Sequence, residues 1–339
     1  MLYSLSINIK RPDSERKNAI CKAPADVLKT LSELGFRNII LTWDKFSIRP
    51  LDVIFRVWQC HKVARLVNKG DTIILQGVTP MVLKLVDRCR HKGAKVVYLV
   101  HDLNYIRYKR ESIELEACKH MDEIIVHTDE MRERLVSDGV KVSMKVMHLF
   151  DYRSDEPMLN VSEVIENKHI IAFAGNIDKS DFLYESKDIA GFSGKYQLHI
   201  YGSMPQPMKA IPHDWIEYKG CFTPEQTSFL KAGWGLVWDG YTMDSCKGNL
   251  GEYLKINSSH KISLYLACGI PVFVWSQSPI GQWLVKQGVA IAIDRLADIP
   301  AIIDKITDDK YSQLISNAQS IGKKLRNGIM LKQMVEYYR

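Results

Sequence analysis

The chain lacks the sequence signatures of several large enzyme classes. No G-x-G-x-x-G follows the first β-rich run and no GxxxxGK[ST] occurs, so dinucleotide oxidoreduction and P-loop nucleotide hydrolysis are not favoured. Neither H-E-x-x-H, nor a Cys/His cluster, nor a paired D-x-D set is present, and a metal-dependent mechanism therefore has no support in the sequence. The seven cysteines form no C-x-x-C pair and are interpreted as reduced thiols.

Long apolar runs are also absent. No run approaches the roughly 20 residues that a membrane span needs, and the start MLYSLSINIKRPD has no signal-peptide core. We therefore expect a cytoplasmic protein. With 46% hydrophobic and 25% charged residues the composition is that of an ordinary globular chain, and 339 residues exceed what one hydrophobic core normally holds. Two domains are expected.

Basic residues are unevenly distributed along the chain. Residues 1–150 carry 26 Lys or Arg against 18 Asp or Glu, whereas residues 151–339 carry 20 against 21. No run of Lys and Arg is longer than two, so the clustered basic surface of a nucleic-acid binder is not expected. The surplus could attract an anionic acceptor or the inner face of the cell membrane, and a solvated basic face without a partner is the alternative.

Short β-rich runs alternate with helical patterns, as expected for a parallel sheet covered on both faces. Residues 1–150 are predicted to form one Rossmann-like domain, and the polar, poorly periodic segment 151–167 is predicted to be a linker. The pattern restarts over 168–327, which predicts a second Rossmann-like domain. Residues 328–339 are predicted to be a helix. The fold class is thus α/β with two Rossmann-like domains.

The segment GNLGEYLKINSSHKISLYLACGIPVFVW, from Gly248 to Trp275, joins a polar loop, a helix start and a buried strand. His260 and Lys261 lie in the first turn of that helix, where Ser258 or Ser259 can act as the cap. Cations at the positive end of a helix dipole indicate a bound anion such as a phosphate. A surface helix with incidental basic residues is the alternative.

The pattern N-x-x-H-K-x-S-x-Y-L-A-x-G-I-P-V, from Asn257 to Val272, resembles the donor-site signature of a group of bacterial GT-B glycosyltransferases. That group includes enzymes that transfer galactofuranose or glucose from UDP-sugars. Weaker matches extend the resemblance over most of the chain: HDLNYIR, DEIIVHTDEMRERLVSDG, FAGNIDKS and GWGLVWDG. The resemblance implies the GT-B fold, in which the two domains face across a cleft and the C-terminal helix can return to the first domain.

A metal-free enzyme of this kind must neutralise the leaving diphosphate with cations and backbone N–H groups. Lys261 is the leading candidate for that role, and Lys179 is the second phosphate candidate. The loop from Asp239 to Asn257 is long and polar, and we expect it to order on binding the donor. The other predicted donor residues are Asn176, Ser180, Gly202, Trp238, Asp244, Asn249, Tyr253, Lys255, Asn257 and His260; purely structural roles are the alternative for each.

The general base is expected in the first domain, where His101 and Asp102 follow a buried strand. Asp102 is the preferred base and His101 the second candidate, because an inverting enzyme must take a proton from the acceptor hydroxyl. Alternatively, Asp102 caps the helix that begins near Asn104. The resemblance places the acceptor beside the loop after the first strand, where the candidates are Asn8, Lys10, Arg11 and Asp13, the last also as a third possible base.

These observations favour a metal-independent, inverting glycosyltransferase that needs no cofactor beyond its UDP-sugar co-substrate. It would transfer one hexose, with galactofuranose favoured over glucose, to a glycan acceptor carried on a lipid diphosphate or a protein. A UDP-sugar 2-epimerase shares the architecture and remains an alternative, as does a non-catalytic partner of an active transferase. The sequence leaves the oligomeric state open, a homo-oligomer included.

Overall fold

The structure is a computed structural model that describes residues 1–9, 21–185, 188–189, 191–192, 194–203 and 211–338. The chain divides into two compact units. Unit 1 comprises Met1–Arg16, Ala23–His148 and Met330–Arg339, and unit 2 comprises Lys17–Lys22 and Leu149–Ile329. Within the described residues, no helix is long and apolar enough to cross a membrane.

Unit 1 is built on a parallel sheet of six strands among the residues described. The strands are β1 (Leu2–Ile9), β2 (Arg37–Trp43), β3 (Thr72–Leu75), β4 (Lys95–Leu99), β5 (Glu123–Val126) and β6 (Ser143–Val146), in the order β2-β1-β3-β4-β5-β6. The helices between them are α1 (Lys22–Glu33), α2 (Arg49–Leu66), α3 (Pro80–His91), α4 (Asn104–Arg107), α5 (Glu114–Lys119) and α6 (Asp129–Ser137).

The central strands of unit 1 are uniformly apolar because helices cover both faces of a parallel sheet. All four residues of β3 are buried, as are four of the five in β4. Reversal of the strand order at β1 creates a switch point between β1 and β3. Side chains at the carboxyl ends of those strands and of β4 therefore share one edge of the sheet.

Unit 2 contains a second parallel sheet, again of six strands within the described part of the chain. The strands are β7 (Ile170–Ala174), β8 (Gln197–Tyr201), β9 (Ile216–Tyr218), β10 (Trp234–Val237), β11 (Val272–Trp275) and β12 (Ala290–Ile293), in the order β12-β11-β10-β7-β8-β9. Counted from β7, this is the Rossmann order 3-2-1-4-5-6, with the switch point between β7 and β10.

The helices of unit 2 flank this sheet and include two that form the candidate site. They are α7 (Val161–Glu166), α8 (Asn249–Tyr253), α9 (His260–Ala267), α10 (Pro279–Lys286), α11 (Ile299–Lys305) and α12 (Asp308–Arg326). Short 3-10 helices occupy Ile177–Lys179, Asp181–Tyr184, Thr227–Phe229 and Leu296–Asp298.

The core of unit 2 is centred on β10. The fully buried Trp234 stacks between Phe273 and Tyr311, with ring centroids 4.5 and 4.8 Å apart. The Tyr311 hydroxyl donates to the Gly233 carbonyl at 2.9 Å and so joins α12 to the amino end of β10. Each such ring buries roughly 150–250 Å² of surface and so contributes to the stability of this unit.

Two segments differ from what the sequence predicts for them. Residues 151–167, expected to be a linker, cluster with unit 2 and contain α7. Asn160 and Glu163 form a reciprocal capping box that starts this helix, and Val164 is buried. The final helix is short: α13 covers Ile329–Val335 and is followed by a 3-10 turn, Glu336–Tyr338.

The last residues pack on unit 1, of which they are part. Lys332 forms an ion pair with Glu33 at 3.4 Å. The Lys95 and Lys145 ammonium groups lie 4.8 and 4.7 Å from the centre of the Tyr338 ring, and both pair with Glu123 at 2.9 Å. A buried carboxylate thus holds the two lysines against the C-terminal aromatic residue.

Candidate nucleotide site in unit 2 and polar cluster in unit 1

Strands β7 and β10 diverge at their carboxyl ends, and a tyrosine from α9 spans the opening. Their ladder pairs only Trp234 with Ile171 and Gly235 with Ala172. Beyond it, the fully buried Tyr265 hydroxyl accepts the Ala174 N–H at 2.8 Å and donates to the Leu236 carbonyl at 3.2 Å. Burial raises the pKa of Tyr265, so the hydroxyl keeps the proton that it donates.

Lys261 lies at this opening. Its ammonium group donates to the Asp239 carboxylate at 2.7 Å and to the Trp238 carbonyl at 3.4 Å, at the end of β10. It also lies 4.7 Å from the centre of the Phe173 ring in β7. Only 15% of the side chain is exposed, so the charge is held at a fixed place at the switch point.

Two glycines allow Lys261 and the turns after β7 and β8 to pack closely together. A Cβ on Gly175 would lie 2.8 Å from the Lys261 Cε, and a Cβ on Gly202 would lie 1.9 Å from the Gly175 carbonyl oxygen. Gly202 also has a φ of +150°. The turns after β7 and β8 can approach each other and Lys261 this closely only because neither residue carries a side chain.

The start of α9 is fixed by two residues near the beginning of the Leu149–Ile329 segment of unit 2. The His260 ring stacks on Tyr152 with centroids 5.1 Å apart, and the Ser263 hydroxyl donates to the Phe150 carbonyl at 2.7 Å. Ser259 occupies the N-cap position, but its side chain makes no capping hydrogen bond within the described residues. The predicted serine cap is therefore absent at Ser259, and packing sets the direction of the helix.

The loop from Asp239 to Asn257 is folded rather than extended. Helix α8 lies within it, and the Met243 N–H donates to the Glu185 carboxylate at 2.6 Å. Trp238 is fully buried and its indole N–H donates to the Thr242 carbonyl at 3.0 Å, while Tyr253 is 2% exposed. Both rings support the loop, so the expectation that they face a sugar does not match this structure.

Polar residues of the same loop remain near the surface. Asp244 is exposed, Asn249 begins α8, and Lys255 pairs with Glu252 at 2.7 Å. The side-chain oxygen of Asn257 is buried and has no hydrogen-bond partner among the described residues. A buried polar atom of this kind is one that a ligand hydroxyl or a water normally satisfies.

The turn after β7 has largely conformational roles. The Asn176 side chain accepts the Asp178 N–H at 3.0 Å, and the buried Ser180 hydroxyl donates to the Asn176 carbonyl at 2.8 Å. Ser180 is thus engaged in the turn and does not present its hydroxyl as expected. Lys179 is exposed, and Asn176 is exposed beside Gly175.

In unit 1, His101 and Asp102 follow β4 as the sequence indicates. The His101 Nε2 lies 3.1 Å from the side-chain oxygen of Gln76, which follows β3. Asp102 pairs with Arg107 at 2.7 Å; it does not cap α4, whose N-cap residue is Leu103. The Asp102 side chain is 37% exposed.

Of the acceptor candidates, the structure describes only Asn8, near the end of β1. Asn8 is exposed there and pairs in register with Thr42. Lys10, Arg11 and Asp13 lie outside the described residues. In the same unit, burial lowers the pKa of His127 and so favours its neutral form; the His127 Nε2 lies 2.8 Å from the Val100 carbonyl oxygen.

Three residues of these clusters were not predicted from the sequence: Asp239, Arg107 and Gln76. Each contacts a predicted residue. Gln76 follows the end of β3, Asp239 lies just beyond the end of β10, and Arg107 is the last residue of α4. The rule that carboxyl ends of parallel strands converge could have included Gln76 and Asp239. Within the described residues, no group of three His, Cys, Asp or Glu side chains could hold a metal ion.

Two Rossmann-like units, each with its polar residues at the carboxyl ends of a parallel sheet, form the architecture of the GT-B fold, which confirms the predicted fold class. Comparison with known proteins gives the family. Residues 6–149 match the glucosyltransferase 3-like N-terminal domain and residues 171–337 the glucosyltransferase 3-like C-terminal domain. The chain belongs to the glucosyltransferase 3-like family and is a glycosyltransferase.

Two relatives and one solved structure show the range of this similarity. The beta-1,6-galactofuranosyltransferase WbbI of Escherichia coli K12 is 28% identical over 71% of this chain and 70% of its own length. Glucosyltransferase 3 of Streptococcus gordonii is 23% identical over 92% of both chains. The solved alpha,alpha-trehalose-phosphate synthase (UDP-forming) of Burkholderia vietnamiensis superposes with a TM-score of 0.61 at 10% identity, covering 100% of this chain and 97% of the other, and shows the shared fold.

Proposed function

We propose that the protein transfers one hexose from a UDP-sugar to a glycan acceptor, without a metal ion and with inversion at the anomeric carbon. The observation that carries the proposal is Lys261, held at the β7–β10 switch point against Gly175 and Asp239. Nucleotides bind Rossmann sheets at this point, and a fixed cation there can neutralise a leaving diphosphate.

The relatives support a hexose donor, since one is named a galactofuranosyltransferase and the other a glucosyltransferase. Galactofuranose is favoured because the galactofuranosyltransferase has the higher identity, with glucose as the alternative. That relative is named for a β linkage. If the donor is an α-linked UDP-sugar, a β product requires inversion.

In the proposed reaction an acceptor hydroxyl oxygen attacks the anomeric carbon while the bond from that carbon to the diphosphate oxygen breaks. Asp102 takes the hydroxyl proton, with Arg107 holding one of its oxygens in place. Lys261 stabilises the charge that appears on the diphosphate. The acceptor would be a glycan on a lipid diphosphate or a protein.

The first test is UDP binding by calorimetry, without metal and then with magnesium. Lys261→Ala should lower UDP affinity by roughly ten- to hundredfold, the value of a hydrogen bond to a charged group. Lys286→Ala, which removes an exposed lysine on α10 of the same unit, should leave it unchanged. Equal affinity of the Lys261→Ala and wild-type proteins would remove Lys261 from the phosphate site.

A double variant separates two explanations of a loss. Lys261→Ala alone leaves the Asp239 carboxylate unpaired, and that charge would repel a diphosphate by itself. Lys261→Ala with Asp239→Asn should bind UDP as weakly as the single variant if the ammonium group binds phosphate. Recovery of affinity in the double variant would show that the unpaired carboxylate caused the loss.

The base is tested by transfer with the same proteins. Asp102→Asn should bind UDP normally and lose transfer to an acceptor, because the amide cannot take the proton. Near-normal transfer would end the proposed role of Asp102. UDP-sugar turnover without any acceptor would instead favour the epimerase alternative.

A further inference from the structure

Helix α2 of unit 1 has an apolar outer face. The buried side of the helix carries Asp52, Gln59, Cys60 and Val63. On the opposite side Ile54 is 64% exposed, Trp58 55% and Leu51 48%. The outer face of a surface helix is ordinarily polar. We define the α2 patch as the exposed side chains of Phe46, Ile48, Leu51, Ile54, Val57 and Trp58.

The patch is a formed surface and not a frayed segment. Phe55 packs edge-on against Phe46 and stacks on Trp58, with centroids 5.6 Å apart in both pairs. The buried Asp52 carboxylate accepts the Lys45 N–H at 2.8 Å and pairs with Arg56, which fixes the loop leading into the helix. The exposed rings are therefore held in place before anything binds them.

Basic residues border the apolar side chains. From Asp44 to Leu66 there are five Lys or Arg and two Asp. The Lys45 ammonium lies 4.4 Å from the centre of the Phe55 ring, and that of Lys62 lies 5.4 Å from Trp58. Lys62 and Arg65 are exposed in the last turns of α2. An adjoining depression of about 410 Å³ is lined by both signs of charge, with Arg49 and Arg56 opposed by Asp44 and Asp52, and also by Phe46 and Ser47.

We propose that the α2 patch docks on the surface of an anionic lipid bilayer. Aromatic and aliphatic side chains on one helix face, with Lys and Arg at the border, are what a helix lying in the headgroup region requires. The apolar residues would enter the boundary with the acyl chains, and the ammonium and guanidinium groups would contact lipid phosphates. The inference is independent of which sugar the enzyme transfers.

A second copy of the chain fits the patch less well. A two-fold interface would place the same patch against itself, so the net positive borders would face each other. Like charges set opposite each other across an interface oppose association. An anionic bilayer supplies the opposite charge to every basic residue of the border.

The test is co-sedimentation with phosphatidylcholine vesicles, made with or without phosphatidylglycerol. The wild-type protein should bind the anionic vesicles, and added salt should weaken that binding. Lys62→Gln with Arg65→Gln should lower affinity about fivefold for each residue removed. Ile54→Ser with Trp58→Ser should lower it by at least roughly tenfold. Matched controls in the same unit are Val136→Ser, 58% exposed on α6, and Lys141→Gln, also exposed.

Every altered residue is at the surface, and circular dichroism with thermal unfolding verifies that each variant is folded. Failure of the wild-type protein to sediment with anionic vesicles would overturn the inference, as would equal losses in the control variants. Sedimentation velocity tests whether a second copy of the chain covers the patch instead. A self-associating wild-type protein that becomes monomeric only in the Ile54→Ser, Trp58→Ser variant, with vesicle binding unchanged, would identify the patch as an interface between copies.

Discussion

The Tyr265 hydroxyl offers a test of how the opening between β7 and β10 is maintained. Tyr265→Phe removes one oxygen from a fully buried ring and leaves the packing in place. The Ala174 N–H and the Leu236 carbonyl then lose a partner at 2.8 and 3.2 Å respectively. An unsatisfied buried polar group costs about 1–3 kcal/mol, and the longer bond contributes less. We expect the free energy of unfolding of unit 2 to fall by about 2–3 kcal/mol.

Tyr311→Phe provides a matched control. Its hydroxyl is equally buried but donates to the Gly233 carbonyl at the amino end of β10, far along the strand from Lys261. Two carbonyl groups, Gly233 and Val164, lose a donor, so a loss of about 1–2 kcal/mol is expected. Urea unfolding followed by tryptophan fluorescence measures both variants, since Trp234 and Trp238 lie in this core.

The two variants should differ in UDP affinity. Tyr265 sets the spacing of the strand ends that carry Gly175 and Asp239, so Tyr265→Phe should weaken UDP binding by roughly tenfold. Tyr311→Phe should bind UDP like the wild-type protein. Equal UDP affinity of the two variants, or losses of affinity in proportion to their losses of stability, would show that the spacing of β7 and β10 does not position the proposed phosphate site.

Two further predictions concern single contacts. Burial raises the pKa of Glu123, but hydrogen bonds from Lys95 and Lys145 outweigh it and hold that pKa below the usual 4.5. The stabilisation is therefore present above about pH 4.5 and is lost as the pH falls through the depressed value. The difference in unfolding free energy between wild-type and Glu123→Gln proteins should be constant near pH 7 and shrink towards pH 3; an unchanged difference would contradict this. Gly202→Ala should destabilise unit 2 by about 1–3 kcal/mol more than Gly194→Ala, because Gly194 shares a positive φ but has open space. Thermal unfolding measures both, and equal losses would show that the contact with Gly175 is easily relieved.

Much of the fold could be predicted because most of its strands are short apolar runs in the sequence. TIIL, KVVYL, VFVW and WGLV are buried on both faces of parallel sheets, and such runs separated by helical patterns have few other arrangements. The position of Lys261 could also be predicted, since it depends only on the helix start after a long loop. That this helix start meets the ends of β7 and β10 follows from the sheet order, which the structure shows.

Side-chain direction within the loops could not be predicted. Trp238 follows the last residue of β10 and turns inward because its N–H finds the Thr242 carbonyl four residues later. Ser180 closes a 3-10 turn instead of facing outward. Such outcomes depend on which backbone carbonyl is within reach, and an irregular loop has no period from which that can be calculated. The α2 patch could not be predicted for a related reason. Apolar residues occur on several sides of this helix, and only the packing shows which side is covered.

The pairing of Lys261 with Asp239 affects how readily the proposed phosphate site could bind its ligand. A free lysine loses up to about 2 kcal/mol of rotamer entropy when a ligand orders it. Here the ion pair, the Phe173 ring and the narrow space beside Gly175 already confine the Lys261 side chain. Its rotamer entropy is therefore lost when the protein folds, and a ligand that binds later does not lose affinity by ordering it. The Asp239 carboxylate also neutralises part of the positive charge of Lys261. A diphosphate, with charge enough to compete with one carboxylate, would be favoured over a weaker anion at the same place, and the comparison of single and double variants at positions 261 and 239 measures that balance directly.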